Sequence, residues 1–483
     1  MKRSMMLTAA ACAAICIGRF AAANGAHTGD LVGTSIGSDL LLDATFGDAG
    51  SALLRFDDDA ITAYAPVRMV GDADGYWLLG EHYAYLGAAT EELAIARLRM
   101  DGSVDTGFGT GGFLVAPTDF AGIYDIALGD AGRFYVVGVR IESNDARVVA
   151  VACFEADGSG CLGFAADAGA RSLRIDGFDD RQIPRLLLRD GSLFVIGAAA
   201  LSSSGEPDTP IVAKFDAATA LPDAGFGTGS PAPGQAIFDL GQLPGGKITT
   251  DAAHFDGPRI LVAGAAQSTS EGGSVGYVLA FDATDGAADA GFGDSGVAVI
   301  AIGSGVDAVE AKALAVRADG RIAVAANAIL GASGSVPELV LAELDTTGAF
   351  AGDFAGGGMT HLTIGHDTDV SDLALRTDGS LVVAMTTYGL LPDVAAHSQE
   401  QSVAEFGADG AGPVSTASIA FDYAIPPKPP YSFATALDID AADRVVLAGG
   451  HFYGMIGGTI ISIGVEMTAT RFVRDAVFAD GFE

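Results

Sequence analysis

The sequence predicts an all-β protein: a single β-propeller of seven four-stranded blades. Six or eight blades also fit, because the third and seventh units are worn. Three observations predict this class. Two short motifs recur with a period of about 60 residues, apolar runs bounded by Gly and Asp stand between them, and no window reads as a long amphipathic helix. The 483 residues include 67 Gly, and 49% are hydrophobic, so there is ample apolar surface for a core and disorder is excluded.

The N-terminal segment comes first. Lys2 and Arg3 precede an apolar run from Leu7 to Gly18, and Ala21, Ala22 and Ala23 follow. This order predicts a secretory signal peptide over residues 1–23, with cleavage after Ala23 or, as second choice, after Ala26. The run is too short for an ordinary membrane span, and no other stretch is long enough, so no integral membrane segment is expected after signal removal. Residues 24–41 form a lead-in.

The repeats occupy residues 42–474. One motif, Asp-x-x-Phe-Gly, appears at Asp43–Gly47, Asp105–Gly109, Asp223–Gly227 and Asp289–Gly293, with worn copies around Phe164 and Phe354. The phenylalanines stand at 46, 108, 164, 226, 292 and 354. The second motif is Asp-Gly followed by an apolar run, as at Asp74-Gly75, Asp190-Gly191, Asp256-Gly257, Asp319-Gly320 and Asp378-Gly379. Variants at Gly132 and Asp443 bring its copies to seven. Runs such as Phe134-Tyr-Val-Val137 and Ile260-Leu-Val-Ala263 read as buried strands. Each unit thus offers four strands: one after Phe-Gly, one before Asp-Gly, one after it, and one before the next Phe-Gly. A four-stranded sheet cannot bury both faces alone, and stacking such sheets about an axis solves that. Ring closure requires a join between the first and last units, with residues 461–473 beside sequence from Leu42 onward. The Pro-rich stretch 426–430 reads as a loop inserted in the seventh unit.

The pattern "LDATFGDAG … DG-apolar run-G … DGSVDTGFGTGG" resembles the delta-60 repeat family of exported bacterial proteins, over most of residues 42–474. The resemblance implies tandem β-structure of propeller type. It supplies no catalytic residues. The tail, residues 475–483, ends in Asp-Gly-Phe-Glu, which is similar to short tails on some exported bacterial proteins and equally to a last worn repeat turn.

Charge narrows the partners. With 61 acidic and 26 basic residues the net charge is −35. Loss of Lys2, Arg3 and Arg19 with the signal would take it from −35 to −38. This charge argues against nucleic acid as a partner and disfavours anionic membrane surfaces, since both need clustered Lys and Arg. The expectation is a monomer, secreted or periplasmic or attached to the cell surface, whose partner is a protein or a glycan. Cys153 and Cys161, eight apart in an exported chain, are expected to form a disulfide.

The search for chemistry returns little. G-x-S-x-G, H-E-x-x-H and a Walker loop are all missing from the sequence. The repeat Asp before Gly reads as a turn former. Asp57-Asp58-Asp59 and Asp282-x-x-Asp285-Gly286 are the densest acidic clusters. They are weighed for calcium but miss the EF-hand register, so no cofactor is expected, with calcium the one alternative. One asymmetry remains. Two positions beyond the residue closing the Asp-Gly strand stand His82, Arg140, Ala199, Ala266, Ala328, Thr387 and His451. In a closed ring the units bearing His451, His82 and Arg140 are neighbours. These three, with Tyr83 and Phe452 beside them, form the candidate ligand patch for a small anion or a sugar. The leading functional reading is a binding or scaffold module without chemistry. The alternatives are a polysaccharide hydrolase or lyase at the channel mouth, with Glu81 and Tyr83 as candidates, and a calcium-stabilised envelope protein.

Overall fold

The structure is a computed structural model. It describes residues 31–35, 40–54, 56, 62–84, 92–117, 120–142, 146–164, 172–179, 181–201, 205–227, 232–238, 240, 243, 246–267, 273–302, 306–330, 337–364, 367–390, 397–421, 432–457 and 459–474. The signal segment, Asp57 to Asp59, the 426–430 stretch and the tail 475–483 lie outside the described residues.

Among the described residues the protein is all-β, with two single 3₁₀ turns at Asp130–Gly132 and Phe354–Gly356. Its strands form antiparallel meanders, each running from an innermost strand outward. The first is Thr62–Gly71, Gly75–Ala84, Glu92–Arg99 and Phe113–Pro117. The second is Phe120–Leu128, Phe134–Ile141, Arg147–Phe154 and Ser172–Ile175. The third is Arg185–Arg189, Ser192–Ala199, Thr209–Asp216 and Gln235–Ile237. The fourth is Ile248–Asp256, Arg259–Gln267, Ser274–Asp282 and Val297–Ile300. The fifth is Val306–Val316, Ile322–Leu330, Pro337–Leu344 and Met359–Leu362. One bridge, Ser274 to Ala308, fuses the fourth and fifth into an eight-stranded sheet. The sixth is Asp367–Leu375, Leu381–Leu390, His397–Phe406 and Ser415–Phe421, to which Leu31–Ser35 adds a fifth strand.

The last meander takes three strands from the C-terminal part, Ser432–Ile439, Val445–Gly457 and Thr459–Arg474. Its outer edge comes from the other end of the chain. Leu40–Leu42 and Ser51–Leu54 both pair along Thr459–Arg474, with Leu42 opposite Phe472 and Ser51 opposite Thr470. The phase of the repeat explains this clasp. The strand after each Phe-Gly belongs to the sheet before it, so the strand after the first Phe-Gly has only the last sheet to join.

The second strand of each meander is buried on both faces, which is why it reads in sequence as an unbroken apolar run. Sheets meet through side chains. Trp77 and Leu79 of the first pack with Phe134 and Val136 of the second. Equivalent clusters join each consecutive pair, and Tyr76 and Leu78 of the first meet Val446 and Met467 of the last. Innermost strands touch in the same order, and Ser432–Ile439 touches Thr62–Gly71.

The repeat phenylalanines are the wedges in these seams. Phe46, Phe108, Phe164, Phe226, Phe292 and Phe354 are all buried, each in a different cluster. The sixth-to-seventh seam has no such residue and is filled by Leu40, Phe421 and Phe472. The next unit's polar turn closes over the wedge. The Gly293 N–H donates to the Thr347 carbonyl at 2.7 Å, and Gly348, at φ +82°, lies on the Phe292 ring. A Cβ there would stand 3.1 Å from the ring, so this turn needs glycine twice over.

Candidate functional site: the charged ring on the axis

Each innermost strand except the short third one carries a β-bulge at the same register, at Pro66/Arg68, Ile123/Asp125, Thr250/Ala252, Ala311/Ala313, Val370/Asp372 and Ala434/Ala436. A bulge places two residues against one and re-aims their side chains. Here the bulge level carries charge: Arg68, Asp125, Asp251, Lys312 and Asp372, with Arg185 at the start of the third sheet's innermost strand.

These groups connect across sheets. Arg68 of the first sheet reaches Asp372 of the sixth at 3.3 Å and Asp125 of the second at 3.6 Å. The intervening last sheet has only Ala436 at that register, which leaves Arg68 room to cross. On the other side, the Arg185 Nε–H donates to the Asp251 main-chain carbonyl at 2.6 Å. Lys312 stands 3.3 Å from Asp251 and 3.1 Å from Glu310. The carboxylates are held by backbone as well. Asp125 accepts from the Leu186 N–H at 2.9 Å, and Asp372 from the Leu437 N–H at 3.1 Å. These two bonds tie neighbouring innermost strands together.

The ring sets its own electrostatics. Asp372, and then Asp125, push the Arg68 guanidinium pKa further up against the opposing effect of burial. Burial would lower the Lys312 ammonium, but Asp251, Glu310 and Asp369 outweigh it and hold it above its ordinary range. Arg185 is the exception: burial pushes it down, Arg68 adds to that, and the nearby aspartates only partly compensate. The ring thus gathers fixed donors and acceptors at one level of the fold.

The residues singled out in the sequence lie elsewhere. His82, Arg140 and His451 occupy the same register on the second strands of their sheets. Side chains alternate along a strand, so each of the three faces the sheet before its own. His82 lies on the Leu78 face, toward the last sheet; Arg140 on the Val136 face, toward the first; and His451 on the Leu447 face, toward the sixth. They therefore stand in three successive seams, with a sheet between each and the next. The His82 Nδ1 is 2.7 Å from Glu92 Oε2, and the ring stacks on Tyr64 at 4.7 Å. Arg140 pairs with Glu142 at 3.3 Å. His451 is 2% exposed, 3.3 Å from the Ser432 hydroxyl and 5.5 Å from the Phe421 ring. That Ser432–His451 pair is sealed from solvent, Ser432 being 0% exposed. The side chains of Tyr83 and Phe452 lie outside the described residues. Glu81 is buried and accepts from the Ile123 N–H, tying the first sheet to the second.

A disulfide joins Cys153 to Cys161, with Cα atoms 5.4 Å apart. Among the described residues, no group of three or more His, Cys, Asp or Glu side chains could hold a metal ion. Asp282 and Asp285 each accept a backbone N–H two residues on, from Thr284 and Ala287, so they build their turn. Among the described residues no helix is long and apolar enough to cross a membrane.

Sequence reasoning missed the axial ring. Its one signal was charge in the middle of otherwise apolar or small-residue strands, as at Arg68, Asp125 and Lys312.

A family model described as "Domain of unknown function (DUF5122) beta-propeller" matches residues 83–108, from Tyr83 to the Phe108 wedge. No curated protein matches the chain. Among solved structures, the β-propeller domain of the Trilobed protease from Pyrococcus furiosus is 8% identical, with a TM-score of 0.42. That match covers 87% of this chain and 98% of that one. Drosophila Semaphorin 2a is 9% identical with a TM-score of 0.45, covering 80% of this chain and 72% of that one. Overlaps of this depth say nothing about ligands.

Proposed function

We propose that this chain is an exported, closed seven-bladed β-propeller of delta-60 repeats that binds a partner outside the cell or in the periplasm and performs no chemistry of its own. The single observation that carries the binding reading is the axial ring, where charged side chains from six sheets meet at one bulge level. Ligand sites carry a small number of fixed polar groups, and this level gathers charged ones from six sheets. Seven meanders, with side-chain seams returning from the last to the first, support the blade count and the closure. Export is supported by the Lys2-Arg3 start with its apolar run, and by the Cys153–Cys161 disulfide, which suits an oxidising compartment. The partner is a protein or a glycan, and calcium remains an arm of the test.

The test is a thermal melt of the mature chain against calcium, EDTA, a glycan panel and small anions, with cell fractionation alongside. A saturable rise in melting temperature with one ligand, and recovery of the protein outside the cytoplasm, are expected. Turnover of a glycan, lost when Asp125 or Asp372 is changed to Asn, would overturn the non-catalytic reading. Retention of the full-length chain in the cytoplasm would overturn export.

A further inference from the structure

We propose that Arg185 is the ligand-holding residue of the axial ring and that it takes a carboxylate group of the ligand, as an acidic sugar carries. This deepens the binding reading above and rests on it. Three cations face the axis, and two are already paired. Arg68 lies between Asp372 and Asp125, and Lys312 between Asp251 and Glu310. Arg185 makes one contact, from Nε–H to the Asp251 main-chain carbonyl at 2.6 Å. A guanidinium has five N–H donors. The remaining donors, on the two terminal nitrogens, have no protein acceptor among the described residues.

An unpaired arginine is out of place in a chain with 61 acidic side chains against 26 basic ones. The nearby aspartates are committed elsewhere. Asp125 accepts from the Leu186 and Ile126 N–H groups, at 2.9 and 3.0 Å. Asp251 faces Lys312, and Asp372 takes Arg68 and the Leu437 N–H.

With Nε anchored, the two terminal nitrogens form a planar fork whose parallel N–H bonds match the two oxygens of a carboxylate. Phosphate fits the same fork, but it brings a second negative charge beside Asp125, Asp251 and Asp372. A monoanionic carboxylate is therefore the better match. It would also screen the repulsion between Arg185 and Arg68, whose charge adds to burial in depressing the Arg185 pKa. The anchored nitrogen keeps the fork from swinging away, so little ordering entropy is lost on binding.

The experiment uses the whole mature protein. Propionate, lactate, inorganic phosphate and chloride are titrated at constant ionic strength, read by melting temperature and calorimetry. The expected result is saturable carboxylate binding, weaker phosphate binding and no saturable chloride effect. Arg185→Gln should weaken carboxylate binding about tenfold or more, as loss of a charged bidentate contact does. Arg174→Gln, at an exposed pair with Asp176, should leave it unchanged. If Arg185→Gln fails to fold, Arg185→Lys decides, because it keeps the charge but loses the fork. Carboxylate binding that survives both variants overturns the proposal, as does phosphate binding more tightly than carboxylate, or no saturable carboxylate response. A glycan or protein ligand indifferent to Arg185→Gln, with no carboxylate response, sinks this site and leaves the wider binding reading standing.

Discussion

Phe292 is fully buried between the fourth and fifth sheets, the Arg259 guanidinium lies 5.5 Å from its ring, and Gly348 rests against its edge. Phe292→Ala should lower unfolding free energy by about 3–5 kcal/mol, the usual range for emptying a buried aromatic site. Urea denaturation reads this directly, and a loss under about 1 kcal/mol would mean the seam does not depend on its wedge. Charge at the turns gives a pH signature. Burial alone would raise the Asp378 pKa, but the Ser380 and Arg474 contacts outweigh it and bring the carboxyl from 3.8 down to about 2. A depressed folded value means the stabilisation is complete above about pH 4 and is lost as pH falls toward 2. Denaturation midpoints should therefore show wild type and Asp378→Asn converging across that window. A gap between them that stays constant from pH 6 to 2 would contradict the assignment.

At the scale of elements, the second sheet differs from its neighbours. Its Phe-Gly motif is worn at Phe164, and there the disulfide ties the third strand to the following loop, where the Cys161 N–H also donates to the Cys153 carbonyl at 3.1 Å. The short loop it closes limits the entropic gain to about 2–3 kcal/mol. Cys153→Ser with Cys161→Ser, or reduction, should lower the melting temperature by several degrees without unfolding the protein. Unfolding of the whole molecule on reduction would mean the bond carries far more than its loop length allows. The bulges explain what was legible here. The second and third strands were readable because they are apolar on both faces. The innermost strands were expected before each Asp-Gly, but their charged level was not, because an extra residue breaks their alternation at that register. His82, Arg140 and His451 hold equivalent positions on their strands. Which seam each ring faces depends on the pleat relative to a neighbouring sheet, and a repeat alignment does not carry that.

For the molecule as a whole, the repeat phase announced a join between first and last units, and the structure supplies it through Leu40–Leu42 and Ser51–Leu54. The axial ring stayed hidden because its members differ from unit to unit: Arg, Asp, Arg, Asp, Lys and Asp share a level but not one common residue type or sign of charge. The clasp can be tested by removing residues 1–56 from the expressed chain. The shortened protein loses the Phe46 wedge and the pairing of Asp43 with Arg471 at 2.7 Å, and it should be protease-sensitive or aggregated. A synthetic peptide of residues 38–56 added in trans should restore protection. A truncated protein that melts like the intact one would rule out the clasp as a stabilising element. The same clasp sets a timetable for biosynthesis. The Ser51 and Thr470 hydroxyls, 419 residues apart in sequence, lie 2.9 Å from each other. Leu40–Leu42 and Ser51–Leu54 thus wait for their partner strand until Thr459–Arg474 has been made, more than 400 residues of synthesis later. A chain stopped before Thr459 would leave both strands without their partner, an exposed edge that quality control could recognise.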